Sequence, residues 1–239
     1  MPTESTESTE STESTEPVQR PSPTANRARS ANFRHGRFAP APLILVTALA
    51  GFAVVVATTL IAVSASGVPL LSEATSVQFA AALGLIVLRG AVYLLAFCWG
   101  AVGVGLIARR MLMEGSRARA LAIGSLICCA VSVASAASQV VIPLAAYGFA
   151  QPRFGDTAAY SAFYLTSLLA VEGAVVAAGL AALAVRAAGI RPGFMLILAL
   201  VCLAYVIVDV TTRGGIPPFG VAFVWLALGI GLRSSRVPA

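Results

Sequence analysis

Lysine is absent from this chain, and histidine occurs once, at His35. The first absence leaves arginine to supply all sixteen basic side chains. Ala, Val and Gly are abundant alongside it, so the bias reads as codon usage in a GC-rich bacterial genome rather than as chemistry. The second absence excludes more. With no histidine in any apolar run, the runs can build no histidine-ligated haem, no zinc or di-iron centre and no H-E-x-x-H protease site. A Ser–His dyad is excluded on the same ground, and neither a G-x-S-x-G elbow nor a P-loop pattern occurs. The four cysteines, Cys98, Cys128, Cys129 and Cys202, form no C-x-x-C pair. They fall inside apolar runs, where they read as small packing residues rather than a disulfide framework. No cofactor and no metal is expected.

Charge is also scarce. Only 11% of the residues are charged while 58% are hydrophobic, a balance that one soluble core of this length could not hide. Apolar runs of eighteen or more residues recur, each long enough as a helix to cross a hydrocarbon core of about 30 Å. They lack the period-two alternation of barrel strands. The chain therefore reads as all-α, a polytopic bundle of transmembrane helices whose first partner is the lipid bilayer.

Before the first run, residues 3–16 read TESTESTESTESTE, a repeat with no apolar side chain to offset the entropy of folding. Arg20, Arg27, Arg29, Arg34 and Arg37 follow, so residues 1–38 are expected to form a disordered tail, acidic outside and basic beside the membrane. That basic block suits anionic lipid. The net charge of +6 resembles a nucleic-acid binder, but the arginines flank apolar runs instead of sharing one face, so no nucleic-acid partner is expected.

Six spans are expected, at about residues 43–65, 84–108, 120–149, 159–185, 194–212 and 216–232, within a membrane domain of residues 43–232. The second run begins as early as Val77 and exceeds the bilayer, so its first turns are expected outside or at the interface. The first span is too long for the apolar core of a signal peptide and reads as a retained anchor. Arginines in the successive flanking segments number five, none, four, one, two, one and two. This alternation places both termini in the cytoplasm of a bacterial inner membrane. Tyr147, Phe149, Phe154, Tyr160, Phe163 and Tyr164 gather around one outer turn, as an interfacial aromatic belt does.

Four polar groups fall within the runs: Glu172, Arg89, Asp209 and Gln139. Counted back from the cytoplasmic arginines at about 1.5 Å per residue, all four lie in the outer half of the membrane. Each intramembrane charge costs about 2.5–3.5 kcal/mol on insertion scales, so such groups seek partners inside a bundle. One reading pairs Arg89 with Asp209 or Glu172, with Gln139 completing the network. The other lets Arg89 snorkel outward while Asp209 pairs with Arg213 one turn on. Ser132, Ser135 and Ser138 make a polar stripe at three-residue spacing, and small residues surround Glu172; both are packing signals.

GIRPG at residues 189–193 and FVWLALGIGL at 223–232 are the most distinctive local patterns. In them the chain resembles uncharacterised six-helix integral membrane proteins of bacteria, and the resemblance implies no activity. Three functions remain open: a structural or regulatory multi-pass protein, a small-solute or proton transporter using Glu172 and Arg89, and a lipid-modifying enzyme. The last lacks a nucleophile or metal ligand.

Overall fold

The computed structural model describes residues 40–66, 71–212 and 220–233, within a packed unit that covers Gly36–Ala239. The expected tail, residues 213–219 and the last arginine, Arg236, lie outside the described residues. Everything described between the turns is helical, with no strand: α1 (Pro40–Ser66), α2 (Ser76–Met111), α3 (Ser116–Ala145), α4 (Ala158–Ala187), α5 (Pro192–Thr211) and α6 (Gly220–Arg233). Among the described residues four helices, α2 to α5, are long and apolar enough to cross a membrane, where six spans were expected. The last described helix has 14 residues, too few to count as a span, and the expected start near Ile216 lies outside the described residues. The second runs to 36 residues, about 54 Å as a helix, well beyond a bilayer core.

Local chemistry sets the ends. Thr75 caps α2 in a reciprocal box with Gln78: each side chain meets the other residue's backbone N–H, at 3.4 and 3.0 Å. Thr157 caps α4 through the Tyr160 N–H at 3.0 Å. The fourth helix stops at Gly189, whose positive φ of 78° lets the Ile190 N–H return to the Val185 carbonyl and its own N–H to Arg186. Pro192 then opens α5 at a position where its missing N–H costs nothing.

At the centre is α4, packed against α2, α3, α5 and α6, and α1 closes the bundle against α2 and α6. The α3–α4 seam explains why. Buried positions on α3 are Ala118, Ala122, Ser125, Cys129, Ser132, Ala136, Gln139 and Pro143, alternating steps of four and three. On α4 the series Ala170, Ala174, Ala177, Ala181, Ala184 keeps the same alternation. A heptad seam of alanines lets two antiparallel backbones approach closely, and polar side chains then reach across. Ser125 donates to the Ala177 carbonyl at 2.8 Å, Ser132 to Ala170 at 2.6 Å and Gln139 to Phe163 at 2.9 Å. The rungs recur every seven residues on both helices in opposite directions. This replaces the expected stripe: Ser132 belongs to the seam, whereas Ser138 turns back on its own helix to the Ser135 carbonyl.

At the end where α2 and α4 begin, two short 3-10 turns, Leu71–Glu73 and Phe154–Asp156, lie against each other. The Phe154 N–H donates to the Ala74 carbonyl at 2.8 Å. Phe154 is fully buried and touches the rings of Phe79, Phe149, Tyr160 and Phe163. The expected aromatic belt thus divides. Phe149, Phe154, Tyr160 and Phe163 turn inward to make a cap over the first turns of α2, whereas Tyr147 and Tyr164 face outward.

Candidate functional site

Pro143 sits inside α3 and has no N–H to give the carbonyl four residues earlier, which is that of Gln139. Helix α2 comes in against that freed carbonyl at Gly90, where a Cβ would stand 2.5 Å from the Gln139 oxygen and 2.9 Å from its carbon. Only a glycine can bring the two backbones this close. The contact sets α2 against α3 at the level of Arg89.

Gln139 is buried, and its amide donates both to the Phe163 carbonyl and to Thr166 Oγ1 at 3.1 Å. Thr166 in turn donates to the Ala162 and Phe163 carbonyls. The Arg89 guanidinium lies over the Phe163 ring, 5.7 Å from its centre. A cation held over a ring face is attracted by the ring quadrupole. Phe163 therefore joins two of the sequence-derived residues, its carbonyl taking Gln139 and its ring taking Arg89.

The two acidic residues lie elsewhere. Glu172, half-buried on α4, has Asp209 of α5 as its charged neighbour. Asp209 is 1% exposed and sits one turn after Tyr205 on the same helix. Tyr205 is an electrostatic neighbour of both carboxylates and of Tyr93, and its ring presses on Gly220 at the start of α6. Glu172 makes no hydrogen bond among the described residues. Arg89 turns to Phe163 and Tyr93, not to a carboxylate. The four polar residues thus form two groups, Arg89 with Gln139 around Phe163, and Glu172 with Asp209 near Tyr205. Arg213, the other expected partner of Asp209, lies outside the described residues.

Sequence reasoning missed Tyr93, Phe163, Thr166 and Tyr205 as members of these groups, and Ser167, whose side chain neighbours the Tyr93 hydroxyl. Helical spacing could have flagged two of them, since Tyr93 lies four residues after Arg89 on α2 and Tyr205 four residues before Asp209 on α5. Deeper in the bundle, Phe97, Val104, Cys129, Ser132, Ala174 and Trp225 surround a packing gap that admits no water-sized sphere. No group of three His, Cys, Asp or Glu residues suited to a metal occurs among the described residues. No family model, no curated protein and no solved structure matches the chain.

Proposed function

We propose that the chain is a six-span protein of a bacterial cytoplasmic membrane, with both termini in the cytoplasm and a structural or regulatory role exerted through helix contacts and its tail. The four long apolar helices support the membrane setting. Helix α1, 27 residues long, and α6 supply the remaining two spans in this reading. The strict alternation of arginine-rich and arginine-poor segments carries the orientation. The observation that favours a structural role is the α3–α4 seam, where Ser125, Ser132 and Gln139 are all committed to backbone carbonyls of the neighbouring helix. Side chains so engaged hold helices in register and leave little polar surface for a solute.

A second reading, proton or cation transfer, draws on the adjacency of Glu172 and Asp209 across α4 and α5. Intramembrane carboxylates mark proton relays and ion paths. Growth of a deletion strain across pH and solute panels separates the two readings. A solute- or pH-specific defect that wild type rescues and Glu172→Gln does not would establish transport. Uniform growth, together with a membrane partner recovered by the full chain and lost without residues 1–38, supports the structural role.

A further inference from the structure

Helices α2 and α4 both begin at the aromatic cap and run side by side in the same direction, so residues one turn apart on one face residues one turn apart on the other. Arg89 faces Phe163, and four residues later Tyr93 faces Ser167. The outcome for the donors is unusual. Arg89 carries five N–H groups, and its nearest described partner is the face of a ring, which accepts no strong hydrogen bond. Tyr93 is 3% exposed, and its hydroxyl has that of Ser167 as its one side-chain neighbour, at a geometry short of a good hydrogen bond. An intramembrane cation and a buried phenol left without a good acceptor are each costly, and here they are neighbours. The carboxylates do not relieve them, because Glu172 and Asp209 neighbour Tyr205 and each other rather than Arg89.

We propose that Arg89, Tyr93 and Ser167 form a binding site for a phosphate group, supplied by a phospholipid headgroup or by a free phosphate. What is missing beside the three donors is an anionic oxygen acceptor. A guanidinium matches phosphate in charge and fork geometry. Arg89 is only half-buried, so a ligand can reach it, whereas the Tyr93 hydroxyl lies behind it in the interior. The position also suits a headgroup: Phe163 is in the second turn of α4 and is part of the cap, at the edge rather than the middle of the apolar stretch. The lipid source requires the membrane reading above; the free-phosphate source does not.

The test uses the full chain in maltoside micelles, which contain no phosphate. Binding of phosphatidylglycerol, of diacylglycerol with the same tails, and of inorganic phosphate is measured by native mass spectrometry and by the shift in Tm. Saturable binding of phosphatidylglycerol but not diacylglycerol assigns a lipid source, and binding of inorganic phosphate at the same site assigns a free one. Arg89→Gln is expected to weaken either by at least about tenfold, equivalent to about 1.4 kcal/mol. Arg153→Gln, on an exposed turn, is expected to leave it unchanged. Tyr93→Phe guards against misfolding, because losing a buried hydroxyl that lacks a good hydrogen bond does little harm to the unliganded protein. It should keep or raise the Tm without ligand and still weaken binding several-fold. Absence of saturable binding by all three probes, or binding equal in wild type, Arg89→Gln and Tyr93→Phe, overturns the site.

Discussion

Replacing Gly90 with alanine adds one methyl group where the structure has none to spare. The new Cβ would stand 2.5 Å from the Gln139 oxygen, 2.9 Å from its carbonyl carbon and 3.2 Å from the Val140 nitrogen. All three are backbone atoms of α3, so no side-chain rotation relieves the overlap. A carbon and an oxygen rest at about 3.3 Å or more, close to the usual weak-contact distance. Helices α2 and α3 must then part by roughly 0.8 Å, and overpacking of this kind costs about 1–3 kcal/mol. Against this stands a gain of about 1 kcal/mol for alanine over glycine within a helix. Gly84 on the same helix isolates that gain, because a Cβ there meets nothing within 4 Å. Gly84→Ala is therefore expected to raise the Tm in micelles and Gly90→Ala to lower it, a difference of about 1–3 kcal/mol between the two variants, since the propensity gain is common to both. Equal stability in both would refute the claim that the freed Gln139 carbonyl and Gly90 fix the α2–α3 approach.

Other perturbations address the remaining contacts. Ser132→Ala and Ser125→Ala each remove one rung of the α3–α4 ladder, and interhelical hydrogen bonds in membranes average about 0.6 kcal/mol, so each is expected to cost about that and the double variant about 1.2; denaturation of the pair in micelles measures it. Phe154→Ala empties the centre of the cap and is expected to cost about 3–5 kcal/mol, with protease cutting near residues 71–75 as an early sign. Glu172→Leu is expected to stabilise the fold, since it replaces a carboxylate without a hydrogen bond among the described residues by an apolar side chain; a lower Tm would show that the carboxylate is paired. A peptide covering residues 17–38 is expected to bind anionic but not neutral vesicles, with about 1 kcal/mol per arginine near the surface and weakening as salt rises.

Composition and periodicity made the helices legible, but not their sides. Helices lie where the first five spans were expected, the first, fourth and fifth to within three residues at each end, whereas the second helix begins eight residues before the expected start of its span. The third ends earlier than expected, at Ala145, because Gly148 breaks the chain with a positive φ of 76°. Depth could be counted from the arginines, and Arg89 and Gln139 do meet at one level through Phe163. Azimuth could not: which flank of α2 carries Arg89 depends on the neighbour α2 packs against, and Gly90 with the proline-freed carbonyl of Gln139 decides that. The serines show the same limit. A three-residue stripe and a seven-residue ladder share Ser132, and only the facing carbonyls of α4 select the ladder. Aromatic residues near a membrane surface suit either a lipid-facing belt or a buried cap, so Phe154 and Phe163 gave no sign of turning inward until the two 3-10 turns were seen to meet.

Topology tests the central claim most directly. In a background cleared of the four native cysteines, one cysteine is placed at Ser116, the first residue of α3, and another in a separate variant at Gln151, between α3 and α4; both positions are exposed. Intact cells are treated with a membrane-impermeant maleimide, then compared with cells whose membrane has been opened. The account predicts that Gln151→Cys is labelled in intact cells and Ser116→Cys only after opening. Labelling of Ser116→Cys in intact cells would contradict it.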